Sequence, residues 1–152
     1  MKVKVVLPKA SKIVRDKGLE ADGAVQMFHT QNVLRRVKRY MPFVSGATYK
    51  ITVLQTDIKK PFIVTDVPYG QYLYRGKVMV NSKTGKGHAN IPGVGYRYRK
   101  GTILMPTGRD LKYNQTKNPM AGPFWDRTLV ACEGLALVTD LQKFINRRSG
   151  NV

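Results

Sequence analysis

The chain has 152 residues, with 27 lysines and arginines against nine aspartates and glutamates, and a formal net charge of +18. This length predicts one domain over residues 1–152, and a 42% share of hydrophobic residues is enough for a modest core. So basic a surface attracts polyanions or acidic proteins and repels its own copies. No run of 18 apolar residues and no long apolar leader occurs, so we expect neither a membrane span nor a signal peptide, and a protein made in a cytoplasm.

The reactive side chains point away from an enzyme. Cys132 is the single cysteine, which excludes an intramolecular disulfide and predicts a small buried side chain. With His29 and His88 as the only histidines, a zinc site is not expected, and the glycines lack the spacing of a phosphate-binding loop. The nine carboxylates form no cluster typical of a metal-dependent nuclease. We therefore expect no catalytic residue, no cofactor and no metal.

The first 42 residues predict a strand followed by a helix. Residues 2–7 alternate lysine and valine, the period of a half-buried strand, and a short turn runs over residues 11–17. Residues 19–40 carry apolar side chains at helical spacing, acidic residues in the first turn and basic residues in the last, before Pro42 ends the helix. The basic end is either a phosphate contact or a solvated face.

The middle of the chain predicts three strands and one short helix. Residues 48–55 and 61–65 are rich in branched and aromatic residues, and residues 77–81 follow the same pattern. Between them, residues 67–76 predict a short helix that stops at Gly76. Its tyrosines either fill a small core or form an interface with another chain.

Residues 82–120 predict a long extended loop, because they are rich in glycine and proline and follow no sustained period. Residues 102–105 could add a strand to it. The basic and aromatic residues of the loop are Lys83, Lys86, Tyr96, Arg97, Tyr98, Arg99 and Lys100. This composition suits a nucleic-acid contact, with charges for phosphate and rings for stacking. It equally suits an edge strand with one packed tyrosine face.

The last helix is predicted from Pro123 to about residue 146. Its expected core stripe is Phe124, Thr128, Ala131, Leu135, Val138, Leu141 and Ile145. Trp125 lies off that stripe and either packs beneath residues 67–76, which we favour, or contacts a neighbouring chain. The predicted class is therefore α+β: a small mixed or antiparallel sheet packed against two long amphipathic helices, with a long extended loop.

Three stretches together resemble a known family. They are residues 41–46 (Met-Pro-Phe-Val-Ser-Gly), residues 67–76 (Val-Pro-Tyr-Gly-Gln-Tyr-Leu-Tyr-Arg-Gly) and residues 119–127 (Pro-Met-Ala-Gly-Pro-Phe-Trp-Asp-Arg). In this order they are similar to the minor capsid or neck proteins of long-tailed bacteriophages, which act in head-tail joining and tail completion. The resemblance implies a structural virion protein that forms part of a ring in the neck of a siphophage.

The resemblance also implies partners and a location. The partners would be copies of itself, portal-side connector proteins, tail-tube or tail-terminator proteins and viral DNA in the neck channel, at the head-tail junction of the virion and away from membranes. The candidate interface residues are Tyr69, Tyr72, Tyr74, Arg75, Phe124 and Trp125. We expect the basic loop to dock on acidic neighbours rather than on DNA, because a strongly positive channel would retard DNA ejection. We also expect a monomer before assembly, with residues 82–120 ordering only on assembly.

The alternative function is a basic nucleic-acid-binding module. The charge and the Tyr-Arg-Tyr-Arg stretch at residues 96–99 favour it. The lack of a recognisable helix-turn-helix, zinc or stacking-sheet motif argues against it.

Overall fold

The chain is an α+β protein, as the sequence predicts. The computed structural model describes residues 10–20, 23–43, 45–67, 69–93 and 95–149, so the strand predicted at residues 2–7 lies outside the described residues. The helices in the described part are α1 (Ala10–Asp16), α2 (Ala24–Val37), α3 (Ala47–Gln55), α4 (Gly70–Arg75) and α5 (Trp125–Ser149). The strands there are β1 (Lys77–Asn81), β2 (Ala89–Ile91), β3 (Gly95–Arg97) and β4 (Leu104–Asp110).

The core lies where the two long helices, α2 and α5, pack against each other. Its buried residues are Val37, Tyr40, Met41, Trp125, Leu129 and Leu137. On α5 the buried positions 125, 129 and 137 recur at multiples of four residues, which places them on one side of the helix. Phe28 and Phe144 extend the contact with stacked rings whose centroids lie 4.2 Å apart.

The strand predicted at residues 48–55 is wrong, because this segment forms α3. Its buried threonines, Thr48 and Thr52, are followed by buried Thr56, so burial recurs every four residues rather than every two. The hydroxyl of Thr52 donates to the Thr48 carbonyl at 2.9 Å, and that of Thr56 donates to the Thr52 carbonyl at 2.7 Å. Burial at helical spacing therefore outweighs the strand preference of the branched residues.

The strand predicted at residues 61–65 is also wrong, because these residues join no sheet. Side chains of α3 and the residue after it hold the segment instead. The Val64 N–H donates to the Thr56 hydroxyl at 3.1 Å, and the hydroxyls of Thr52 and Thr65 lie 2.8 Å apart. The peptide of Asp66 is bonded through both its N–H and its carbonyl to the Gln55 amide.

The region predicted as one extended loop instead contains paired strands. β4 pairs antiparallel with β1, so that Asn81 lies opposite Leu104, and β2 pairs antiparallel with β3. Residues 77–110, which run from β1 to β4, are called the β arm below. The antiparallel pairing expected from the sequence is present, but β1 takes its partner from residues 82–120 rather than from residues 48–65.

None of the helices in the described part of the chain combines the length and the apolar character that crossing a bilayer requires.

Candidate functional site

The three stretches that carry the family resemblance meet in one place, called the junction below. Met41 and Trp125 share the buried core cluster, and Leu73 and Tyr74 of α4 pack against it. Residues 42, 45 and 46 line a surface hollow together with residues 69 and 73. Segments separated by tens of residues in the chain therefore form one contiguous unit.

Tyr74 joins α4 to the start of α5. Its ring lies edge-on to the rings of Phe124 and Trp125, with centroid distances of 5.2 and 5.0 Å. Its hydroxyl donates to Asp126 at 2.8 Å, and its carbonyl accepts from the Phe124 N–H at 2.9 Å. The bond to Asp126, together with burial, raises the pKa of Tyr74. Trp125 is only 7% exposed, so it packs beneath α4, as the sequence favoured.

Gly76 allows α4 and α5 to approach closely. It ends α4 in the left-handed region at φ 68°, and a Cβ at this position would lie 2.9 Å from the Pro123 Cβ. The Tyr113 hydroxyl donates to the Leu73 carbonyl, and the Leu111 N–H donates to that of Gly76 at 2.8 Å. The chain following β4 therefore closes the junction from a third side.

The other predicted interface residues differ in their exposure. Tyr69 is 41% exposed and Arg75 is exposed, whereas Tyr72 is partly buried, which raises its pKa. Phe124 is partly buried and has the Arg127 guanidinium 5.0 Å from its ring centre. Of the six residues, Tyr69 and Arg75 are thus the most accessible to a partner.

An open groove of about 570 Å³ lies beside the junction. Its walls come from α2, α3, residues 63 and 65, α4 and α5, and they are mainly apolar. His29 lies in the wall, and its Nδ1 atom is buried without a hydrogen-bond partner among the described residues. The sequence does not predict the groove, because it forms only when five separate segments come together.

The predicted core stripe of α5 is wrong in its middle, where Ala131, Leu135 and Val138 are exposed, whereas Phe124, Thr128, Leu141 and Ile145 are partly buried. Leu135 is 82% exposed and Val138 is 64% exposed. Val130 is also 64% exposed, and it lines the groove as well. The α5 surface around Leu135 and Val138 is called the outer face below. Cys132 on the same helix is exposed, so its predicted burial is wrong too.

Charged side chains explain which side of α5 turns toward α2. Arg36 of α2 pairs with Glu133 and with Asp140, the latter at 2.6 Å. The Tyr40 hydroxyl donates to Glu133 at 2.7 Å, and the Asn32 amide donates to Asp140 at 3.0 Å. Tyr40 and Arg36 lower the pKa of Glu133, and Arg36 and Asn32 lower that of Asp140. Such partners stand about a hundred residues apart, so helical spacing alone could not reveal them.

The predicted basic loop residues lie on the β arm. Lys83 and Lys86 belong to the turn after β1, Arg97 ends β3, and Arg99 and Lys100 precede β4. Tyr96 pairs through its backbone with Asn90. Tyr98 is partly buried; its hydroxyl donates to the Met79 carbonyl at 2.7 Å, and its ring lies edge-on to that of His88. The Tyr98 hydroxyl therefore connects the chain just after β3 to β1.

Within the described part of the chain, no three histidine, cysteine, aspartate or glutamate side chains are grouped so that they could hold a metal ion.

Comparison with known proteins gives no relative: no family model matches the chain, and neither a curated protein nor a solved structure is similar to it.

Proposed function

We propose that this protein is a structural component of a long-tailed bacteriophage particle and forms part of a ring in the neck, where the head joins the tail. The sequence resemblance suggests this role, and the junction supports it, because the three resembling stretches form one unit of the fold. In this proposal the protein acts through its surfaces and catalyses no reaction.

The observation that carries the proposal is the outer face of α5. Leu135 and Val138 lie three residues apart, so they are neighbours on the helix surface, and both are more than half exposed. An exposed apolar patch on a helix surface is typical of a site that meets another protein. In the described part of the chain α2 packs on one side of α5 and leaves the outer face exposed, and we assign that face to another subunit.

The partner assigned to the outer face is the next copy of the same chain. A closed ring needs two different patches on each subunit, one meeting the other on its neighbour. The chain offers a convex apolar patch at Leu135 and a concave apolar one in the groove, whose edge includes Val130. Val130 and Leu135 are five residues apart and therefore about 140° apart around the helix. Each copy can thus present its outer face to one neighbour while its groove receives the outer face of the other neighbour.

The high charge explains why the ring forms on other neck proteins. Copies with a net charge of +18 repel one another in solution, and an acidic connector would offset this repulsion. The protein is then a monomer until the connector gathers it.

The test is made in the phage that encodes the protein. Without the gene, DNA-filled heads and completed tails should accumulate separately, and a plasmid copy should restore joined particles. A copy carrying both Leu135→Asp and Val138→Asp should fail to restore them, because two carboxylates would be buried unpaired at the subunit contact. Electron microscopy of the lysate provides the count of joined particles.

A matched control carries the same two introduced charges on other helices. Ser11 of α1 and Gln31 of α2 are exposed, so Ser11→Asp with Gln31→Asp should restore joined particles fully. Joined, infectious particles in the complete absence of the protein would overturn the neck function. Full restoration by the α5 variant would overturn the assignment of the outer face.

A further inference from the structure

The positive charge of the β arm is concentrated at one end of its ladder. Asn81 pairs with Leu104, and just beyond this pair the Ser82 N–H donates to the Ile103 carbonyl at 2.8 Å. Two turns therefore emerge side by side, one over residues 82–86 and one over residues 99–102. Together they carry Lys83, Lys86, Arg99 and Lys100, and they are called the basic tip below.

Hydrogen bonds within each turn fix the backbone of the basic tip. The side-chain oxygen of Asn81 accepts from the N–H groups of Lys83 and Thr84, at 2.8 and 3.3 Å. The Asn81 backbone also bonds to residues 85 and 86. In the second turn, the N–H and hydroxyl of Thr102 both donate to the Arg99 carbonyl. The four cations thus project from a pre-formed backbone.

The charge of the basic tip is not neutralised by ion pairs within the described part of the chain. From residue 67 to residue 109 the sequence contains eight lysines and arginines and no acidic residue. Among the described residues, the ion pairs involve none of the four cations of the tip. Each of the four cations is therefore available to attract a negative charge on a partner that carries several such charges along a line.

The side chains of the basic tip suit phosphates better than a protein surface. The two turns contain no large apolar residue. Within residues 81–86 and 99–104, Ile103 is the only large apolar residue that is mostly exposed. Protein interfaces depend on buried aromatic or apolar anchors, whereas phosphate contacts need cations and accessible backbone.

The packed ring of Tyr98 favours double-stranded nucleic acid over single strands. Binding of single strands relies on aromatic rings that stack on the bases. The ring of Tyr98 instead packs edge-on against His88 while its hydroxyl is bonded to Met79. We propose that the basic tip binds the phosphate backbone of duplex DNA, independently of base sequence, through Lys83, Lys86, Arg99 and Lys100. This inference does not depend on the proposed neck function, and it departs from the expectation that the basic loop docks on acidic neighbours, because the basic tip lacks apolar anchors.

The experiment measures binding of the full chain to a short fluorescein-labelled duplex of mixed sequence by fluorescence anisotropy, at salt concentrations from about 50 mM to about 200 mM. Release of counterions from four phosphates predicts a slope of log K against log salt of about −3.5. Replacing all four cations with glutamine should reduce affinity at least about tenfold and remove most of that slope.

A charge-matched control separates the basic tip from the general charge of the protein. Lys12, Lys50, Lys59 and Lys143 are exposed and lie outside the β arm. Their joint replacement with glutamine removes the same four charges and should leave at least about half of the affinity. Equal losses in the two variants would overturn the proposal, as would no binding at low salt.

Three competitors identify the class of partner: unlabelled duplex, single-stranded DNA and poly-glutamate. When concentrations are counted in negative charges, unlabelled duplex should displace the labelled duplex at a lower concentration than single-stranded DNA or poly-glutamate does. Stronger competition by poly-glutamate would reassign the basic tip to acidic proteins and overturn the proposal, and stronger competition by single strands would overturn the choice of duplex. No neck protein is present, so failure here would leave the proposed assembly function standing.

Discussion

Tyr40 links the two long helices through one hydroxyl group. It is 2% exposed, and its hydroxyl donates to Glu133, which also pairs with Arg36. Burial first, and then the bond to Glu133, raises the pKa of Tyr40 to about 12. The same bond lowers the pKa of Glu133. These shifts make the stability of the contact dependent on pH at both ends of the scale.

Replacing Tyr40 with phenylalanine should reduce the free energy of unfolding by about 1.5 kcal/mol at neutral pH, because a hydrogen bond to a charged acceptor is lost. Urea unfolding followed by circular dichroism measures the change. Tyr69→Phe is the control, since Tyr69 is 41% exposed and its hydroxyl lies outside this contact. A loss of the same size in both variants would contradict the assigned role of Tyr40.

The pH dependence of unfolding tests the same contact. Glu133 has a lowered pKa in the folded chain, so its contribution is complete above its ordinary pKa of 4.5 and disappears as the pH falls through the folded value. Tyr40 has a raised pKa, so its contribution is complete below pH 10 and disappears as the pH rises toward about 12. Tyr40→Phe should flatten both limbs, and unchanged limbs would contradict the assignment.

At the scale of elements, α3 shows why the sequence prediction failed there. The branched residues of positions 48–55 favour a strand when each is weighed alone. The burial of Thr48, Thr52 and Thr56 shows the decisive spacing of four, but three threonines are a weak signal before their buried partners are known. The short helix α4 was predicted correctly, because Gly76 marks its end locally.

α5 illustrates a different failure, in which the element was right and its orientation wrong. The sequence gives α5 apolar residues on several sides, and the stripe with the better periodicity includes Leu135 and Val138. Arg36, Glu133 and Asp140 nevertheless turn the opposite side toward α2, because their charges are paired there. Which side of such a helix faces inward depends on distant partners, and those partners are not visible in one periodic pattern.

Gly76→Ala tests the close approach between α4 and α5. Alanine disfavours the left-handed conformation by about 1–2 kcal/mol, and its Cβ would also crowd the Pro123 Cβ at 2.9 Å. The free energy of unfolding should therefore fall by about 2 kcal/mol or more. Gly108→Ala in β4 is the control, because a Cβ there meets no atom within 4 Å, and its stability should remain unchanged or rise. Equal effects would contradict the close contact.

At the scale of the whole molecule, the sequence predicted the α+β class, the two long helices, α4 and β1. It also placed Trp125 beneath α4. It could not predict the pairing of β1 with β4, because Asn81 and Leu104 are joined by an insertion without a sustained period. The junction was foreseen only as three separate stretches, and the groove was not foreseen.

Hydrogen exchange of the free chain tests the order of the β arm. The sequence predicts that residues 82–120 order only on assembly, whereas the structure pairs Leu104–Asp110 with β1 within one chain. We therefore expect slow amide exchange in the paired positions of β1 and β4 and faster exchange at the exposed residues 86–88, which lie outside the strands. Mass spectrometry with peptide resolution provides the measurement. Rapid exchange throughout β4 that slows only in the particle would restore the sequence expectation.

The absence of a spacer between α4 and β1 has a mechanical consequence. α4 ends at Arg75 and β1 begins at Lys77, so Gly76 alone separates a wall of the groove from the base of the β arm. If a neighbour in the groove tilted α4 slightly, the far end of the β arm would move farther than α4 itself, because the arm extends away from Gly76. The orientation of α4 and the position of the basic tip are therefore linked through a single residue.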